Sequence, residues 1–216
     1  MVKQIVKVFM LLFTAFIYSV VGCSTPAHAQ TLPSASSQYY IDINGMLRFQ
    51  PNTIVGPSYA TESQMLSFAR TVNPKFPAEL PKLYLEVGKK YGIRGDVAFC
   101  QMIKETGYHR FGGDVRAGQY NYAGIGAVGR SARGSTFKSS REGVQAHIQH
   151  LYAYATKSAI PRGERILDPR FSYVPRGTAP FWTSLNGRWA IPGQGYGQNV
   201  LTLYNQLIVN NPPPRT

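Results

Sequence analysis

The chain has 216 residues, a net charge of +13 and two cysteines, Cys23 and Cys100. That length accommodates one domain with a well-buried interior. Two cysteines exclude a disulfide framework, and the charge calls for a polyanionic partner, whether nucleic acid, an anionic wall or anionic lipid.

Lys3 and Lys7 precede an almost unbroken apolar run from Val8 to Val21, the pattern of an export signal. Ala27-His28-Ala29 fits cleavage before Gln30, whereas Val20-Val21-Gly22-Cys23 resembles the lipobox of bacterial lipoproteins, with Cys23 lipidated. Left uncut, the run approaches the length of a spanning anchor. All three outcomes place the remainder outside the cytoplasmic membrane, secreted or membrane-associated. Removing two lysines from +13 leaves +11 on the exported part. Outside the membrane, wall polymers fit that charge better than nucleic acid. Cys100 reads as a small buried hydrophobe.

Residues 30–52 read as a linker and extension, with a hairpin turning at Asn44-Gly45. Helices are expected from Thr61-Glu62-Ser63 to about Arg70, from about Pro81 to Tyr91, and from Asp96 to about Thr106, where Gly107 is a stop. Ala98, Gln101 and Glu105 share one face of the third. Residues 107–134 lack helical periodicity and form a long Gly-rich, aromatic loop, a length usually reserved for function. A fourth helix runs from Ser139-Ser140 to about Thr156, with Val144, Ile148, Leu151 and Ala155 along one stripe and His147, His150 and Tyr154 on another face. Ala179–Leu185 and Gly197–Val209 read as two more helices, before a Pro-rich tail at 211–216. Six helices and little strand make a mainly α domain.

Glu105 is the leading candidate for chemistry. A carboxylate in the last turn of a helix sits in the negative field of the terminal carbonyls, and Met102, Tyr108 and Phe111 would partly desolvate it. Both effects raise its proton affinity, as a general acid for glycoside cleavage requires. Glycoside hydrolysis usually takes two carboxylates, and Asp114, nine residues on in the loop, is the best placed of the remaining acids. An Asx-turn is its competing role, and with Asp114 in that role the substrate's own acetamido group would be the nucleophile, an exception to the two-carboxylate rule. Tyr154 would orient the sugar or the acid. His147 and His150 lack further ligands for a metal site and suit the cleft wall. Tyr120, Trp182, Trp189 and Tyr196 supply aromatic surface for sugar rings, each also suited to the core.

Gly124-Ile125-Gly126-Ala127-Val128-Gly129 matches the dinucleotide fingerprint formally, yet no strand precedes it and Gln149 stands where the acid belongs. No cofactor or metal is implied.

Four ordered segments carry a resemblance: Gly92 to Gln101, Lys104-Glu105-Thr106-Gly107, Phe111-Gly112-Gly113-Asp114-Val115, and Asn121-Tyr122-Ala123-Gly124-Ile125-Gly126-Ala127. With Gly143 to Leu151 and Trp189-Ala190, they closely resemble the glucosaminidase-type autolysins, glycoside hydrolase family 73, from about Thr53 to Leu207. The resemblance implies a lysozyme-like helical catalytic domain over 53–210, with a small irregular or β-containing region by the cleft. It also implies peptidoglycan as partner and hydrolysis of the β-1,4 bond between N-acetylglucosamine and N-acetylmuramic acid. The family's catalytic glutamate falls on Glu105. Its Asn-Asn-Phe-Ala-Gly-type segment falls on Asn121, Tyr122, Ala123 and Gly124, lining the glycan cleft, with Tyr122 in place of Phe for stacking. Gln101, Tyr120, His147, Trp189 and Tyr196 join them as substrate-binding candidates. Competing readings are a lytic transglycosylase on the same fold and a wall-binding module without catalysis.

Overall fold

The computed structural model describes residues 39–41, 47–49, 52–127 and 134–210. The export segment with Cys23, most of the 30–52 extension and the Pro-rich tail lie outside the described residues. Strands β1 (Tyr39–Ile41) and β2 (Leu47–Phe49) pair antiparallel, Tyr39 opposite Phe49, so the expected hairpin is present. Its Asn44-Gly45 turn lies outside the described residues.

Among the described residues, five α-helices build the domain: α1 (Glu62–Arg70), α2 (Glu79–Tyr91), α3 (Gly95–Thr106), α4 (Ser140–Ala155) and α5 (Tyr196–Asn210). The fold is mainly helical, as expected for a lysozyme-like domain. Local chemistry sets the boundaries. Thr61 and Gln64 form a reciprocal capping box at the start of α1. Gly92 and Gly107 end α2 and α3 in the left-handed conformation that side chains disfavour. Ser139 caps α4 by accepting from the Glu142 N–H.

The central element is α3, flanked by α1, α2 and α5. Ten of its twelve residues are buried. It packs so closely on α2 that a Cβ at Gly95 would lie 2.1 Å from the Tyr84 carbonyl oxygen. Arg94 and Asp96, both fully buried, pair across 3.2 Å at its start. Asp96 also accepts the Tyr59 and Ala60 amides, while the Arg94 guanidinium lies 4.9 Å from the Tyr204 ring centre on α5. This motif therefore pins the segment before α1 and the last helix to α3. Cys100 is buried, as its apolar surroundings required.

One expected helix is absent. Ala179–Leu185 forms only a 3-10 turn, Trp182–Leu185, because its backbone is committed elsewhere. The Pro180 carbonyl accepts the Ile54 N–H at 3.0 Å and the Trp182 N–H donates to Asn52 at 2.8 Å. Trp182 is wholly buried and belongs to the core.

Candidate active site

Lys104 and Glu105 are the two residues of α3 that are not buried. The helix thus rises through the core and ends by lifting a carboxylate onto the floor of a cleft. After Gly107, Tyr108, His109 and Phe111 adopt positive φ values of 60°, 62° and 54°. Such non-glycine residues each cost on the order of 1–3 kcal/mol unless their surroundings hold them. Here the His109 ring packs edge-on against Phe76 and Phe111, Thr106 Oγ1 accepts the His109 N–H at 2.9 Å, and Asn73 donates to the Tyr108 carbonyl. The tight turn folds the next residues back beside Glu105. They close one wall of a cavity of about 330 Å³ lined by Glu105, Phe111, Asp114, Asn121, Gly124 and Ala127 among others. Asp114 is exposed on that wall.

The opposite wall is the segment Asn121–Ala127. Asn121 is 1% exposed, and its side chain is spent on the loop itself, donating to the Ile125 and Ser135 carbonyls and accepting the Ile125 N–H. Tyr122 is buried, so the expected stacking on a sugar face gives way to a core role. The segment lies on α4 where Gly143 has no side chain; a Cβ there would sit 1.8 Å from the Tyr120 carbonyl oxygen. Tyr120 is half-buried above that contact. Gly124, at φ 65°, faces the carboxylate: a Cβ on it would lie 3.9 Å from Glu105 Oε2.

Beneath the floor runs a chain of hydrogen bonds. Tyr196 Oη donates to Glu105 Oε1 at 2.5 Å, Gln101 Nε2 donates to Tyr196 Oη at 2.8 Å, His147 Nε2 meets Gln101 Oε1 at 3.0 Å, and Tyr84 Oη meets His147 Nδ1 at 2.8 Å. One direction satisfies every atom. The Gln101 oxygen only accepts, so His147 carries its hydrogen on Nε2 and Nδ1 accepts from Tyr84. Gln101 and His147 are fully buried; expected as substrate contacts, they lie instead behind Glu105, holding Tyr196 in position.

The electrostatics follow from burial. The Glu105 carboxyl is pushed above the ordinary glutamate range, chiefly because the cleft walls surround it with protein atoms. The Tyr196 hydrogen bond and the Lys104 ammonium pull the other way. Water still reaches the side chain, which is exposed by area. The crowding fixes the direction of the shift, and the remaining water limits its size. Burial and Glu105 raise the Tyr196 phenol well above its usual value, keeping it a donor. Burial, reinforced by His150, lowers His147 to about 3, so its ring is neutral.

Trp189 ties this region to a second concavity. Its ring is nearly parallel to Tyr196, at 6.5 Å and 17°, and lies 5.6, 5.0 and 6.1 Å from the rings of His147, His150 and Tyr154. Tyr154 lines the second concavity rather than the Glu105 cavity, and its hydroxyl donates to the Arg188 carbonyl at 3.1 Å. The structure therefore brings Asp114, not Tyr154, into the cavity of Glu105. His150 is held by buried Asp168, Nδ1 to Oδ2 at 2.7 Å. Among the described residues no group of three or more His, Cys, Asp or Glu side chains is placed to hold a metal.

Sequence reasoning missed Tyr84, Asp168, Arg170 and Arg188. Asp168 carries the nearest thing to a signal, an acid following a histidine-bearing helix. Tyr84 carries none, since it meets His147 across 63 positions.

Comparison with known proteins accords with this geometry. The family model described as glucosaminidase, mannosyl-glycoprotein endo-beta-N-acetylglucosaminidase, matches residues 81–207, a stretch that holds Glu105 and its whole hydrogen-bond chain. A protein of Borreliella burgdorferi strain B31, described only as uncharacterized, is 37% identical over 130 residues. The match covers 58% of this chain and 63% of that protein, so the chain spans less than two thirds of its relative. No solved structure matches.

Proposed function

Because the chain belongs to the glucosaminidase family, we propose that it is a glycoside hydrolase of peptidoglycan. It cleaves the β-1,4 bond between N-acetylglucosamine and N-acetylmuramic acid, with Glu105 as general acid. The observation that carries this reading is the placing of Glu105, the carboxylate that ends a buried helix on a cleft floor with its proton affinity raised.

The proton's position follows from the hydrogen bonds. Oε1 already accepts from Tyr196, so neutral Glu105 carries its hydrogen on Oε2, the oxygen toward Gly124 and the cleft. A glycan lying between the Phe111–Val115 and Asn121–Ala127 walls presents its bridging oxygen to that hydrogen. As the C–O bond breaks, the proton passes to the leaving sugar and the carboxylate left behind is stabilised by Tyr196. Asp114 is the carboxylate available in the same cavity to activate the attacking water. Loss of the whole Tyr196 interaction would weaken the stabilisation of charge formed in the transition state. The basic start and apolar run of residues 3–21 support action outside the cytoplasmic membrane, anchored or secreted.

Purified protein is expected to release fragments with N-acetylglucosamine at the new reducing end, and Glu105→Gln to stay folded and release them about 10²–10⁴-fold more slowly. Mass spectra showing anhydro-muramic termini would overturn the hydrolase in favour of a transglycosylase.

A further inference from the structure

The cleft does not end at Glu105. Gly124 and Ala127 line both the Glu105 cavity and the second concavity, so the two adjoin across this segment. The far part has a different character. Its walls carry Arg170, Arg188, Tyr173, Tyr154 and Trp189. Tyr173 is 73% exposed and presents its ring at this concavity. The Arg170 guanidinium lies 5.1 Å from the Tyr173 ring centre, which holds its plane while leaving N–H donors free. Arg188 Nη1 donates to Thr178 Oγ1 at 3.3 Å, and its other nitrogens are unspent.

Both cations are exposed, and neither pairs with a carboxylate among the described residues. The nearest acid, Asp168, is 2% exposed and occupied by His150 and by the Arg170 backbone N–H. Both arginines line the same concavity as Tyr154, and both guanidiniums act on its phenol. Two unpaired forks beside two aromatic faces suit a sugar that bears a carboxylate, because guanidinium and carboxylate match in planar, two-bond geometry.

We propose that Arg170 and Arg188 form a carboxylate-reading subsite beside the catalytic cavity, selecting strands whose muramoyl units carry an anionic substituent. This rests on the glycosidase reading above. Two sources supply that chemistry in peptidoglycan: the carboxylates of the stem peptide where a stem is attached, and the lactyl carboxylate of the muramoyl sugar where none is, since the stem takes up the lactyl carboxyl as an amide.

The test compares native peptidoglycan strands, the same strands with carboxylates converted to neutral amides, and stem-free strands with the lactyl carboxylate exposed. For the full chain, kcat/KM is expected to fall about tenfold or more on amidated strands, mostly through KM, and the preference to weaken with salt. Arg170→Gln/Arg188→Gln is expected to cleave native strands only as well as the unaltered protein cleaves amidated ones. Both side chains are exposed, so the variant keeps the fold. A preference that survives on stem-free strands identifies the lactyl group, and one confined to strands with stems identifies the peptide. Equal cleavage of carboxylate and amidated forms by the unaltered protein, in strands with stems and in stem-free strands alike, or a preference unchanged in the double variant, would overturn the subsite alone. Absence of any new reducing end from native strands would overturn the glycosidase reading with it.

Discussion

The hydroxyl of Tyr196, at the start of α5, donates to Oε1 of Glu105, at the end of α3, across 2.5 Å. A donor aimed at a carboxylate favours the ionised form and lowers its proton affinity, against the desolvation that raises it. Glu105 is therefore set between two opposed influences, and each can be removed separately.

Tyr196→Phe removes the donor and leaves the Gln101 amide without its acceptor. Glu105 acts as an acid, so activity is lost as pH rises through its pKa. With the donor gone that pKa rises further. The basic limb of kcat/KM against pH is expected to move to higher pH, while kcat at the optimum falls about 10²–10³-fold, the scale of losing a donor that stabilises developing charge. A limb that stays put or moves down would separate Tyr196 from the acid.

Glu105→Gln tests the other influence. A carboxyl whose folded pKa exceeds its unfolded one costs stability as it ionises, through the window from the ordinary glutamate value up to the raised one. Above that window the cost is constant; below it, absent. The amide escapes it while still accepting from Tyr196. Activity is expected to fall about 10²–10⁴-fold, whereas the melting temperature relative to the unaltered protein should be higher at pH 7 than at pH 4. An equal difference at both would mean that the carboxyl is not strained in the fold.

The fold was legible where local chemistry sets it. Thr61, Gly92, Gly107 and Ser139 mark helix ends by side-chain or backbone preference, and they do so in the structure. Ala179–Leu185 was misread because its apolar spacing is helical, while its backbone partners, Asn52 and Ile54, lie more than a hundred positions away. The site divides in the same way. Glu105 is readable as a helix-end carboxylate within an ordered motif. The partners that tune it are not, because the bond between Gln101 and Tyr196 spans 95 positions and that between His147 and Gln101 spans 46. Nothing local separates a histidine that touches a sugar from one that braces a tyrosine.

His147 makes that bracing measurable. Its pKa is lowered to about 3, first by burial and then by His150. Below the unfolded value near 6.5 the unfolded chain binds a proton that the native ring refuses, so stability falls as pH drops from about 6.5 toward 3 and is unaffected above. The full window corresponds to roughly 4–5 kcal/mol at most. His147→Gln is expected to lose stability at pH 7, where two hydrogen bonds are disturbed, yet to show a shallower decline between pH 6.5 and 4 in denaturant titrations. A slope equal to that of the unaltered protein would assign the acid sensitivity to other groups.

Gly143→Ala probes how the loop wall is held. The added methyl carbon would meet the Tyr120 carbonyl oxygen at 1.8 Å and Tyr122 Cε2 at 3.2 Å. The carbonyl is backbone and cannot swing aside, so the Tyr120–Ala127 segment must lift from α4. Overpacking of that kind costs about 1–3 kcal/mol or more. The same displacement carries Gly124 away from Glu105 Oε2, so kcat should fall by a larger factor than stability alone explains, even well below the melting temperature. Gly118→Ala is the matched control: its Cβ would meet nothing within 4 Å, on the exposed part of the same loop. It is expected to stay within about 0.5 kcal/mol of the unaltered protein with its kcat intact. If Gly143→Ala melts early but turns over normally at low temperature, the wall is not what positions the substrate against Glu105.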